Sequence, residues 1–308
     1  MDTTERSELP YGIAPAGHRL PGATRLGGVT LQVADLERSL DYYRGVLGLR
    51  VLEESGSWAA LGPEGGGAPL VTLVERPGAS PVPRRGRLGL FHFAILLPDR
   101  AALGRFAAHL GERRMPAGAS NHLVSEALYL QDPDGLGIEV YADRPRFAWQ
   151  HRDRQLVMAT EPLDVPEVVR AAGGERWSGM PAGTGLGHIH LHVGDLEAAD
   201  AFYHRGLGLD RVVWSYPGAL FLSAGGYHHH LGLNTWAAGA SPAGEDDARL
   251  LEWQLVLPSA DDVEEGLASL DSAGYDVARN GGGRVVDPWG TPLRLVADDD
   301  AHQSPNES

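Results

Sequence analysis

One stretch of this 308-residue chain occurs twice, and that repetition restricts the folds open to it more than any other feature. VADLERSLDYYRGVLGL at 33–49 returns as VGDLEAADAFYHRGLGL at 193–209, with identity at eight of seventeen positions. In each copy an apolar strand pattern runs into Asp35 or Asp195, a residue type whose side chain caps a helix start. Leu36, Leu40, Tyr43 and Leu47 follow at helical spacing, and Gly48 and Gly208 stand where a helix ends in a left-handed residue. Two fainter echoes pair DPDGLGIEVYAD (132–143) with DPWGTPLRLVAD (287–298), and FHFAILLP (91–98) with EWQLVLP (252–258). Together they divide the chain into four units near 26–76, 88–142, 186–236 and 249–297, each reading as strand, helix, then three strands. Such a unit cannot bury its own sheet, so units must pair and curl their sheets around a common space. Residues 143–185 link the second unit to the third, with a short helix expected at DVPEVVRAA (164–172), and DPDG (132–135) reads as a tight hairpin turn.

Within the third unit, GHIHLHVGDL (187–196) alternates His188, His190 and His192 with Ile189, Leu191 and Val193. Side chains two apart in a strand share a face, so one face is apolar and the other carries three imidazoles. A single histidine on such a face is most simply a hydrogen-bonded polar residue, and His190 and His192 are read that way. The chain has no cysteine, so a metal here would need nitrogen and oxygen ligands. Its net charge of −15 disfavours nucleic acid or an anionic membrane as partner. No apolar run approaches the roughly 18–20 residues of a membrane span. The opening MDTTERSELP is polar and acidic, unlike a signal peptide. A cytoplasmic globular protein is the expectation.

GHIHLHVGDLEAADAFYHRGLGL resembles the opening of a βαβββ module of the vicinal oxygen chelate superfamily, which includes glyoxalases, bleomycin resistance proteins and extradiol dioxygenases. NHLVSEALYLQDPDGLGIEVYADRP (121–145) and SAGGYHHHLGLNTW (223–236) narrow the resemblance to the two-domain, CatE-like bacterial catechol 2,3-dioxygenases. The resemblance extends from about residue 26 to 297. It implies an α+β fold of four βαβββ modules paired into two domains with curved, barrel-like mixed sheets. The expected division is 26–142, a linker 143–185 with its short helix, and 186–297.

In this superfamily metal ligands come from the first and last strands of paired modules and face inward. The first unit has Gly28 at the position of His188, and its last strand LVTLVE offers no ligand. The second offers His92 and Glu139, the third His188 and His230, the fourth Glu252 together with Arg294 at the position of Glu139. His92 alternates with Phe91 and Phe93, and Glu139 with Ile138 and Val140, which points both away from an apolar face. Two ligand sets remain open. If units two and three share a site, the set is His92, Glu139 and His188, with His230 a fourth ligand or a residue behind the ligands. If units three and four pair, it is His188, His230 and Glu252. The first is preferred, because Arg294 would repel a dication and would instead pair with Glu252. Two imidazoles and one carboxylate suit non-haem Fe(II) and O₂, with Mn(II) a close substitute. His228 and His229 are read as structural.

The resemblance implies extradiol cleavage of a small catechol-like aromatic diol by O₂, with both oxygen atoms incorporated. His122 matches the family's acid–base histidine, and Tyr129 the tyrosine that hydrogen-bonds a metal-bound substrate oxygen. Asn234 and Trp236 are candidates for the pocket wall. Two rivals stand beside this reading: a glyoxalase-like lyase or isomerase using Zn²⁺ or Ni²⁺, and a non-catalytic protein that sequesters an aromatic drug. A homo-oligomer is left open.

Overall fold

The computed structural model describes residues 11–279 and 283–298, so the polar opening residues 1–10 lie outside it. Each unit folds as its pattern predicts. In the first, Arg25–Val33 leads into the helix Leu36–Gly45, whose start is capped by the Asp35 side chain accepting from the Arg38 amide. Leu36, Leu40 and Tyr43 are its buried face, and Gly48 follows at φ 81°. In the third unit Asp195 caps Leu196–Asp200 through the Ala198 amide, but the helix then widens into a π-helical turn, Ala201–Gly206. Gly208 closes it at φ 103°. The linker helix is Val165–Ala171. It lies so close on Arg100–Glu112 that a Cβ at Gly104 would collide with the Val168 carbonyl.

The strands assemble into two large sheets. The eight-stranded sheet joins units four and one through Arg249–Leu257 and Arg25–Val33, antiparallel with Val29 opposite Trp253. The nine-stranded sheet joins units two and three through Gly89–Leu96 and Gly185–His192, antiparallel with Phe93 opposite Ile189. Thus, among the described residues, each large sheet is shared between the two halves of the sequence: unit two pairs with unit three, and unit four with unit one. Within every unit the first strand also runs parallel to the last, as where Ala94 lies opposite Glu139.

Sequence neighbours meet in another way. The Asp132 carboxylate accepts the amides of Asp134 and Leu136 and, at 3.2 Å, the hydroxyl of Tyr43 from the first unit's helix. Asp287 repeats this with the amides of Trp289 and Thr291 and with Tyr203 Oη at 2.9 Å. The first aspartate of each turn motif therefore ties one unit's turn to the preceding unit's helix. A continuous apolar cluster that includes Leu31, Phe93, Ile189, Tyr203 and Trp253 fills the convex side. The inward face of the nine-stranded sheet is left for polar residues. Among the described residues, no helix is long and apolar enough to cross a membrane.

Candidate metal centre and cavity

His92 and His188 stand on the two adjoining first strands, and Glu139 on the last strand of the second unit beside them. Alternation turns all three to the concave side, and strand pairing brings them together. One ligand atom from each lies within 4.8 Å of the others, and all three residues are buried. The His188 Nε2 is 3.1 Å from Glu139 Oε2 and hydrogen-bonded to it. The His92 Nε2 is 3.0 Å from the same oxygen, yet it is a buried nitrogen without a hydrogen-bond partner.

Electrostatics keep the cluster in its ligating form. Burial alone would raise the Glu139 carboxyl, but His188 and His92 outweigh burial and hold it well below the usual carboxylate range. Burial, opposed by Glu139, lowers the His188 imidazole to about 4. At neutral pH the cluster therefore offers a carboxylate and a neutral imidazole. The donor set and the orphaned His92 nitrogen fit a divalent ion bound by two nitrogens and an oxygen.

The cluster forms the floor of a cavity of about 270 Å³. Phe91, Phe221, Tyr216 and Trp236 give it aromatic walls, and His122, Tyr129, His190 and His229 supply polar ones. An engineered apolar cavity of about 150 Å³ accepts benzene, so this space is large enough for one substituted aromatic ring. On one wall His122 Nδ1 lies 2.8 Å from the Ala159 carbonyl and must donate to it. The neutral ring then accepts at Nε2, 2.6 Å from Tyr129 Oη. Burial, and next the charge of Glu139, raise the Tyr129 hydroxyl well above its ordinary range.

The neighbouring histidines sort differently. Asn234 donates to His190 Nε2 at 3.0 Å and receives the His192 Nδ1 hydrogen at 2.7 Å, so both rings are held by hydrogen bonds as expected. His190 also lines the cavity. His230 is not among the donors: its Nδ1 takes the Ala224 amide at 3.2 Å, beside Ser223 Oγ at 3.1 Å. Glu252 belongs to the other sheet, where it pairs with Arg294 at 2.8 Å. The structure therefore does not bring His188, His230 and Glu252 together. Gly28 faces the Pro69 carbonyl, so a Cβ there would have no room.

Two wall residues depart from the alternation. Phe91, expected among the apolar side chains opposite His92, lies against His92, His190, His192 and Trp236 in the cavity wall. The cause is a register shift between His190 and Leu191, which leaves Phe91 as the extra residue of a bulge. His229, read as structural, packs on His188 with ring centroids 4.1 Å apart and planes tilted by 45°, and lines the cavity. It sits on an irregular turn before the strand Leu231–Asn234, where strand alternation says nothing about direction. The run of three histidines was its only signal.

Two curled sheets built from four repeated modules, with donors on the first and last strands, define a class. The glyoxalase/bleomycin resistance protein/dioxygenase superfamily profile matches residues 25–140 and 185–292, and this chain belongs to that superfamily. Among its relatives is the catechol-2,3-dioxygenase of Bacillus subtilis (strain 168), 46% identical over 271 residues, covering 86% of this chain and 94% of the relative. The fold also resembles that of a putative dioxygenase from Bacillus subtilis, with a TM-score of 0.62 at 17% identity, covering 91% of this chain and 86% of that one. Glyoxalase I from Zea mays aligns with a TM-score of 0.53 at 20% identity, covering 90% and 94%.

Proposed function

We propose that this protein is a metal-dependent extradiol dioxygenase that opens the ring of catechol-like diols with O₂ and places both oxygen atoms in the product. The observation that carries the reading is the convergence of His92, Glu139 and His188 on the floor of a cavity sized for one ring, beside the hydrogen-bonded pair His122 and Tyr129. The 46% identity to a catechol-2,3-dioxygenase supports the same substrate class. The donor set favours Fe(II), with Mn(II) the nearest substitute. When bound, the metal supplies the Lewis acidity that favours the catecholate and the redox contact between diol and O₂.

The chain's own residues divide the remaining work. The aromatic walls Phe91, Phe221 and Trp236 hold the ring and exclude water. Tyr129 reaches one substrate oxygen and is itself oriented by His122, whose tautomer the Ala159 carbonyl fixes. A proton leaving the diol on that side passes through Tyr129 Oη to His122 Nε2, the nitrogen left as acceptor. His229 packs on His188 and lines the cavity, where it offers a second polar contact to substrate or O₂. The absence of cysteine and the acidic net charge support a cytoplasmic location, and the division into 26–142, 143–185 and 186–297 is kept as a division of sequence.

The test is anaerobic loading with Fe(II), then catechol and air, following O₂ uptake and the yellow ring-opened product. Uptake of one O₂ per catechol, abolished in His188→Ala, is expected. Bound iron without uptake across simple catechols would overturn the dioxygenase reading in favour of an isomerase or a binding protein.

A further inference from the structure

Behind His229 lies a buried chain of side chains that takes no part in the reaction proposed above. The His228 Nε2 is 2.9 Å from Asp143 Oδ1, and His228 Nδ1 is 2.7 Å from His229 Nδ1. His228 is wholly buried, whereas the Asp143 side chain is 27% exposed, so the chain runs from the protein surface to the cavity wall. A second line ends on the same oxygen: Tyr141 Oη lies 2.7 Å from Tyr227 Oη, which donates to Asp143 Oδ1 at 3.2 Å. The Tyr141 ring packs on one side of His188, with centroids 4.9 Å apart, and His229 packs on His188 as well.

The hydrogen-bond directions follow from donor and acceptor chemistry. A carboxylate only accepts, so His228 donates to Asp143 from Nε2. A neutral His228 then has a lone pair at Nδ1, and the hydrogen in the short contact between the two Nδ1 atoms must come from His229. That leaves the lone pair of His229 on Nε2, on a ring that lines the cavity. We infer that Asp143 and His228 are positioning residues, which lock His229 in the tautomer that presents a hydrogen-bond acceptor to the bound diol. The inference rests on the proposed reaction for its consequence, though not for its geometry.

Spectra of the protein with nitrogen-labelled histidine, loaded with diamagnetic Zn²⁺, read the tautomer directly. The expected result is a proton on His229 Nδ1, and a mixture of tautomers in His228→Phe, which keeps the ring but loses both nitrogens. With Fe(II) and catechol, His228→Phe should lose about tenfold to a hundredfold in kcat at unchanged metal content and KM, a fraction of what a misplaced tautomer can cost. His228→Gln should recover much of that loss, because its amide can donate to Asp143 and accept from His229 at once. A proton on His229 Nε2 in the parent protein would mean an imidazolium at His228 and would overturn the lock. So would a His228→Phe protein whose His229 tautomer is unchanged, or equal losses of thermal stability and metal in the Phe and Gln variants. If the protein fails to cleave any catechol, the tautomer measurement still decides the lock on its own.

Discussion

Gly187, immediately before the ligand-position residue His188, tests how tightly the cluster is held from behind. A Cβ at this position would overlap the Tyr141 hydroxyl and stand 2.8 Å from Tyr141 Cζ and 3.2 Å from Tyr227 Oη. Tyr141 is completely buried and cannot swing away. In Gly187→Ala the overlap must be relieved by moving the strand or the ring. Overpacking of this kind costs about 1–3 kcal/mol, and loss of the Tyr141–Tyr227 hydrogen bond adds about 0.5–1.5 kcal/mol. The sum, roughly 1.5–4.5 kcal/mol, should appear in chemical denaturation as a lower midpoint at unchanged slope. Metal affinity should weaken as well, since the displaced strand carries His188. Gly185→Ala is the control: it lies on the same strand, a Cβ there would meet nothing within 4 Å, and its φ is not positive, so it should be neutral or slightly stabilising. Adding Tyr141→Phe to Gly187→Ala should restore only part of the loss, because Cζ remains too close. A Gly187→Ala protein within about 0.5 kcal/mol of the parent, the range of ordinary surface changes, would refute the claim that Tyr141 is fixed against this strand.

Tyr129→Phe should lower kcat for catechol by about 100-fold or more while leaving metal content unchanged, since the hydroxyl contacts His122 rather than completing the donor set; steady-state kinetics with metal analysis checks this. Asp132 gives a pH signature. Burial, the largest cause, raises its carboxyl to about 7, so the folded state prefers the protonated form more than the unfolded chain does. Its contribution is full below the ordinary carboxylate value near 3.8, falls as pH rises, and levels off above about 7. Asp132→Asn, which cannot ionise, should therefore gain stability relative to the parent between pH 4 and pH 7 in denaturation curves, and a constant difference would contradict it.

The fold was legible because its information is local and repeated. Asp35 and Asp195 cap helices, Gly48 and Gly208 end them, and the period of two placed His92, Glu139 and His188 on one face without knowledge of any partner strand. The pairing of modules was less legible, because the seam between Gly89–Leu96 and Gly185–His192 joins residues about a hundred positions apart and leaves no periodic trace. Phe91 escaped for a related reason: its turn into the cavity depends on a bulge created by the partner strand's register, which its own neighbours do not encode. His229 escaped because the turn Gly225–His230 is irregular, and a side chain's direction there is set by Asp143 and His228 rather than by alternation.

The seam has a consequence for what part of this chain can bind a metal. His92 and Glu139 belong to the first half of the sequence and His188 to the second, so neither 26–142 nor 186–297 holds three donors of the cluster. Each half, expressed alone, would also lose the partners of two long first strands: Arg25–Val33 and Gly89–Leu96 on one side, Gly185–His192 and Arg249–Leu257 on the other. An unpaired apolar edge of that length invites association with other chains. The Tyr43–Asp132 and Tyr203–Asp287 ties hold neighbouring units together within a half, but each is a hydrogen bond worth about 1 kcal/mol net and cannot replace a strand interface. Each half should therefore aggregate or dimerise edge to edge and bind no stoichiometric metal, whereas the two halves produced together should reassemble and recover one metal per pair, as read by size-exclusion chromatography with metal analysis. A soluble 26–142 fragment that bound metal as tightly as the whole chain would show that the His188 strand is dispensable, and would remove the reason for placing the centre at the seam.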